Sequence, residues 1–172
     1  MDRLFYFAYG SNMSIPRLTD RVPSARYEST GFLYGHKLAF HKVGRKDGSG
    51  KCDAYKTGNA EDYIAGILYT IDPDHRSLLH EIEGAGAGYE VMNVDIMTSS
   101  NTSLSAFTYY ATKIKHDLKP FHWYKHHVVF GARENNLPSE YVDQIISVES
   151  IEDPDDARTL RELSIYKTNY EL

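Results

Sequence analysis

The apolar residues of this chain recur at alternate positions through most of its first two thirds and at helical spacing through its last third. That order restricts the fold more than any single motif does. Strands segregated from helices along a chain build an α+β domain with a mostly antiparallel sheet or barrel. A doubly wound parallel sheet needs the two to alternate. Strands are expected over Leu4–Tyr9, Arg26–Leu33, His36–Val43, Tyr63–Ile71, Tyr89–Met97 and Leu104–Thr112. In Tyr63–Ile71, Ala65, Ile67, Tyr69 and Ile71 share one face. A helix starts at Ser14, as cap, with Pro16 in its first turn. Another starts at Asp72-Pro73, carries Leu78, Leu79 and Ile82, and stops at Gly84. Helices then cover Trp123–Ala132, Ser139–Val148 and Asp155–Leu163. Gly44–Gly50 reads as a mobile hairpin tip and Ile151–Asp156 as an acidic hinge. The expected organisation is one domain over 1–150, followed by a C-terminal helix and tail over 151–172.

Charge and cysteine content exclude several classes of partner. Lys plus Arg number 19 against 24 Asp plus Glu, a net charge of −5. General electrostatic binding to nucleic acid or to an anionic membrane is therefore disfavoured. No apolar run approaches the ~20 residues needed to span a bilayer. The N-terminus lacks the basic start and longer apolar stretch of a signal peptide. The single Cys52 forms no internal disulfide and suits a reducing compartment. A cytoplasmic protein with neither a nucleic-acid nor a membrane partner is expected. The 14 tyrosines read as strand packing.

Three motifs fail on chemistry. Gly44 and Gly50 are separated by five residues and Lys51 is followed by Cys52, so the phosphate-loop pattern is broken. His122 and His126 share a helix face but lack an HExxH arrangement, and no metal site is expected. Cys52 has no base placed near it by sequence.

Two features remain. Tyr9-Gly10-Ser11-Asn12 lies between the first strand and the first helix. Gly10 there permits positive φ or close approach of a ligand, and successive amides at such a turn can hold a carboxylate or oxyanion. An ordinary turn with an Asn cap is the alternative. Glu83 lies in the last turn of its helix, four residues after Leu79, and so points to the apolar side. The helix dipole and burial both oppose its charged form, which raises its pKa and suits it to general acid/base work. The alternative is a solvated carboxylate at the helix rim. Glu81 lies on a different, solvated face.

Together these segments resemble the γ-glutamylcyclotransferase-like family. Phe7–Met13 resembles its signature loop, Gly66-Ile67-Leu68-Tyr69 its central strand, and Leu79–Gly84 the helix end with its catalytic Glu. Tyr124-Lys125 and Gly131–Pro138 resemble its C-terminal segment. The resemblance in order and spacing spans most of residues 5–148. It implies a small closed or nearly closed β-barrel with flanking helices, and a cavity for a γ-glutamyl group with no metal or organic cofactor. By position it makes Glu83 the acid/base. It places Tyr9, Gly10, Ser11 and Asn12 in the amide cradle, and Tyr124 and Tyr89 at the substrate. The implied partner is a small γ-glutamyl compound that closes to 5-oxoproline, on a monomer or homodimer. The alternatives are a relative acting on γ-glutamyl-amine or γ-glutamyl-acylated metabolites, or a non-catalytic small-molecule binding module.

Overall fold

The computed structural model describes residues 3–169. In chain order the elements are β1 (Leu4–Ala8), α1 (Ile15–Arg21), β2 (Arg26–Tyr34), β3 (His36–Val43), β4 (Gly50–Lys56) and β5 (Tyr63–Ile71). There follow α2 (Arg76–Glu83), β6 (Tyr89–Thr98), β7 (Ser103–Ala111), α3 (His122–Glu134), α4 (Ser139–Ser147) and α5 (Asp156–Leu163). Short 3-10 turns at Ser11–Met13 and Pro73–His75 lead into α1 and α2.

Five strands close a barrel in the order β1-β5-β2-β6-β7. All pairs are antiparallel except β1 with β7, which meet in parallel at Tyr6 and Phe107. The fold is α+β, as the order of the sequence patterns requires. Every residue of β5 after Tyr63 is buried, so both faces of this strand are covered. It pairs along its length with β1 on one side and β2 on the other. Phe7, Ile64, Ile67, Leu68, Ile71, Leu79 and Ile96 are fully enclosed and anchor the core through apolar burial.

The region from 26 to 56 departs from expectation. Consecutive strands β2 and β3 do not pair with each other. Instead β3 pairs with β4, a strand absent from the sequence reading, in a separate two-stranded sheet. The hairpin is tied to the barrel by the buried Asp53 carboxylate. Asp53 Oδ1 accepts from the Ala111 N–H at 2.7 Å, and Oδ2 lies 2.7 Å from His41 Nε2. Nor is the hairpin tip a bare loop. Asp47 accepts from the Ser49 N–H and from Lys51 Nζ, and so organises it from within.

Two helix-boundary expectations also change. Ser14 does cap α1, its side chain accepting from the Arg17 N–H, but Asp72 makes no capping bond. Its N–H donates to Ser24 Oγ, and its carboxylate lies 3.5 Å from Arg3. Residues 151–156 are pinned rather than hinged. The buried Asp153 accepts from Trp123 Nε1 at 2.7 Å and from Arg158 Nε at 2.6 Å. That anchor returns α5 to the body, where Glu162 meets Arg17 at 2.7 Å. Among the described residues no helix is long and apolar enough to cross a membrane.

Candidate active site

The turn after β1 is held from behind by α3. A Cβ on Gly131 would stand 2.4 Å from the Ser14 nitrogen and 2.6 Å from the Met13 carbonyl carbon. Only glycine lets the helix approach that closely. Asn135 Nδ2 and Tyr69 Oη both donate to the Met13 carbonyl, at 3.1 and 2.9 Å. The loop is thereby fixed, and the N–H groups of Gly10, Ser11 and Asn12 make no backbone bond among the described residues. Gly10 has φ −115°, an ordinary value, so the positive φ expected from its identity is not what requires glycine. Space does: a Cβ there would lie 3.0 Å from Cys52 Cβ, 3.3 Å from its Sγ and 3.6 Å from Tyr124 Oη.

Glu83 faces this loop from the end of α2. The helix stops because Gly84 takes the left-handed conformation, at φ 70°. The fully buried Leu79, one turn earlier, sets the direction in which Glu83 points. Glu83 Oε1 accepts from Asn12 Nδ2 at 2.6 Å, and the same Nδ2 donates to Tyr6 Oη at 3.2 Å. Burial raises the Glu83 pKa, while Arg21, Arg17, Lys42 and the Asn12 amide pull it back. Glu81, two residues earlier, is exposed.

The expected tyrosines lie around the same space, though their hydroxyls are committed to the protein. Tyr9 Oη donates to the Tyr109 carbonyl at 2.6 Å. Tyr124 Oη accepts from the Cys52 N–H at 3.0 Å, and Tyr89 Oη donates to the Cys52 carbonyl. One residue of β4, through its N–H and its carbonyl, thus orients both Tyr124 and Tyr89. Burial pushes the Cys52 thiol up to about 12, so it is protonated at neutral pH and serves packing rather than nucleophilic attack.

Tyr9, Gly10, Ser11, Asn12, Glu83, Tyr89 and Tyr124 surround one narrow cavity of about 30 Å³, joined by Tyr6, Cys52 and Tyr109. A vestibule of about 460 Å³ adjoins it and shares Ser11, Glu83, Tyr89 and Tyr124 with it. Glu83 therefore stands at the boundary between a tight inner end and a roomy outer one. Arg17, Arg21 and Lys42 line the vestibule and were not expected from sequence. Arg17 and Arg21 are four apart on α1 and share a face, which is a usable signal. Lys42 is not readable, because a register shift in the β3–β4 pairing between Ala39 and Lys42 re-aims it.

His122 and His126 take no part. His122 Nδ1 lies 2.7 Å from Ser150 Oγ, and His126 packs on Tyr166. A separate cavity of about 250 Å³ lies between β3 and α4, beside Phe40, Tyr63 and Tyr141. Of its two acids, Glu61 and Asp62, Asp62 is paired with Lys37 at 3.1 Å.

Comparison with known proteins points to one family. Residues 63–145 match the AIG2-like family. A Bos taurus protein named gamma-glutamylcyclotransferase is 30% identical over 155 residues, covering 86% of this chain and 80% of that protein. The Homo sapiens protein of the same name is 28% identical over 153 residues with the same coverage. A solved structure titled gamma-glutamyl cyclotransferase superposes with a TM-score of 0.82 at 26% identity, covering 90% of this chain and 92% of that one.

Proposed function

Because this chain belongs to the γ-glutamylcyclotransferase family, we propose that it converts a γ-glutamyl amide into 5-oxoproline and a free amine or amino acid, with Glu83 as general acid/base. The observation that carries the reading is the Glu83 carboxylate, raised in pKa by burial and held by Asn12 at 2.6 Å, at the boundary of the two cavities.

The substrate's own α-amino nitrogen attacks its γ-carbonyl carbon. A new C–N bond closes the five-membered ring, and the bond to the leaving nitrogen breaks. No protein nucleophile is required, in keeping with a protonated Cys52. The α-ammonium gives up one proton before attack and the ring nitrogen a second after it, and the leaving nitrogen gains both. A carboxylate with a raised pKa accepts and returns protons near neutrality better than an ordinary one. The rest of the catalysis is positioning, since an intramolecular attack needs the chain folded and held. The unbonded amides of Gly10, Ser11 and Asn12 offer donors to the α-carboxylate or to the developing oxyanion. Tyr9, Tyr89 and Tyr124 shape the inner wall through their rings, their hydroxyls being held by main-chain groups.

Release of 5-oxoproline from a panel of γ-glutamyl amino acids and γ-glutamyl amines tests the reading. Turnover of one or more members is expected. Binding without release from any would leave a small-molecule binding module instead.

A further inference from the structure

The vestibule outside Glu83 carries more positive charge than its own acids neutralise. Three of its cations are paired: Arg17 with Glu162 at 2.7 Å, Lys51 with Asp47 at 2.8 Å, and Arg158 with Asp153. Arg21, Lys42, Arg45 and Lys46 also line it. Among the described residues, none of these four has a carboxylate within ion-pair distance. Among the described residues that line it, the acids left to face them are Glu81 and Glu83. This excess stands on a chain whose net charge is −5, so it is local.

Lys42 is the most informative of the four. Its residue exposure is 5%, and its Nζ lies 4.4 Å from the centre of the Tyr89 ring. It passes close to Gly88, where a Cβ would stand 3.3 Å from Lys42 Cε. Burial disfavours the Lys42 charge, and Glu83 and Asp47 act on it only from beyond ion-pair distance, so an anion in direct contact would relieve a cost. Arg21 reaches Asn12, the residue that also holds Glu83, its Nη1 donating to Asn12 Oδ1 at 3.4 Å. Arg45 reaches the rim beside Gly84.

We propose that this vestibule selects γ-glutamyl compounds whose leaving group is itself acidic, carrying two negative charges beyond the scissile amide, with Lys42, Arg21 and Arg45 as the specificity-determining residues. The inference rests on the cyclotransferase reading and adds to it the chemistry of the leaving side. With the glutamyl end against the loop amides and the scissile bond at Glu83, the leaving group extends into the vestibule. A γ-glutamyl amine brings no charge there, and a γ-glutamyl neutral amino acid brings one. The four unpaired cations exceed Glu81 and Glu83 by two charges, and an acidic amino acid, which brings two, matches that excess.

The test compares kcat/KM for γ-glutamyl-aspartate, γ-glutamyl-alanine and γ-glutamyl-butylamine by 5-oxoproline release. Each added carboxylate is expected to raise kcat/KM about tenfold, the scale of one charge-assisted contact. The aspartate-to-alanine ratio should fall toward one in Lys42→Met and in Arg45→Gln. It should also fall as salt shortens the screening length. The ratio cancels any effect of these variants on Glu83, because both substrates use the same acid/base. Arg45 is exposed, so Arg45→Gln folds even if Lys42→Met does not. A wild-type ratio of one or less overturns the inference, and so does a ratio that neither variant nor salt changes. If none of the three compounds releases 5-oxoproline, the cyclotransferase reading itself fails, a different result from turnover without selectivity.

Discussion

Gly10→Ala isolates the contact between the signature turn and β4. With φ at −115°, Gly10 needs no left-handed backbone, and the effect to be measured is that of the added methyl. That methyl would stand 3.0 Å from Cys52 Cβ and 3.3 Å from its Sγ. Carbon–carbon contact is comfortable at about 3.5–4.0 Å, so turn and strand must give way by a few tenths of an ångström. The displaced backbone of Cys52 holds Tyr124 through its N–H and Tyr89 through its carbonyl. Both rings should move with it. Overpacking of this kind costs about 1–3 kcal/mol in stability, and since a displacement near 1 Å at a reacting site costs up to about 10²-fold in rate, a shift of a few tenths should cost less than that. Thermal denaturation and 5-oxoproline release measure the two effects. The decisive comparison is the double variant Gly10→Ala with Cys52→Gly, which removes the atoms that the new methyl meets. Measured against each single change, the pair should recover much of the lost rate, a coupling larger than the ~0.5 kcal/mol expected of independent sites. Wild-type activity and stability in Gly10→Ala would refute the argument, as would strictly additive losses in the double variant.

Tyr124→Phe removes the acceptor of the buried Cys52 N–H; urea denaturation should show a loss of about 1–3 kcal/mol for the orphaned donor, and unchanged stability would remove that bond from the account. Burial holds the fully enclosed His127 down to about 4, below its ordinary 6.5, so the unfolded chain takes up the proton first. Stability should therefore be complete above pH 6.5 and fall by at most roughly 3 kcal/mol as pH drops to 4. His127→Gln should flatten that slope in pH-dependent denaturation. Below this window a second loss follows: Glu162, held near 2 by His127 and Arg17, loses its stabilising charge from about pH 4.5 downward. Iodoacetamide at pH 8 should neither label nor inactivate the native protein, because the Cys52 thiol is buried and pushed up to about 12.

Much of the barrel is legible in the sequence because its strands are long and well bounded. Tyr63–Ile71 is rich in β-branched and aromatic residues and ends at Asp72-Pro73, and β5 has those same bounds. By contrast, β4 is hidden. Gly50-Lys51-Cys52-Asp53-Ala54 mixes small and charged residues, and it is held as a strand by the Asp53 carboxylate and the Tyr89 and Tyr124 hydroxyls. These partners lie far away in sequence. The same distance hides the parallel closure of β1 on β7. Glu83 stands out as a helix-end carboxylate four residues after an apolar Leu79, a local pattern. Its setting among Asn12, Arg21 and Lys42 depends on three other elements, one of them re-aimed by an irregular register. Gly10 is legible as a special position, for positive φ or a close approach, but the group that approaches is Cys52 rather than a ligand, and that is not legible.

The most direct measurement of the central claim is the pH dependence of 5-oxoproline release by wild type, Glu83→Gln and Glu81→Gln. Wild-type kcat/KM should rise through an apparent pKa above the ordinary value of 4.5, in the direction that burial drives Glu83. Glu83→Gln should lose that limb and at least ~10²–10⁴-fold in rate. It should keep its substrate affinity and show an equal or higher melting temperature, because a carboxyl with a raised folded pKa costs stability once ionised. Glu81→Gln, changed at an exposed position, should match wild type. Wild-type turnover in Glu83→Gln, or a dead Glu81→Gln, would contradict the assignment.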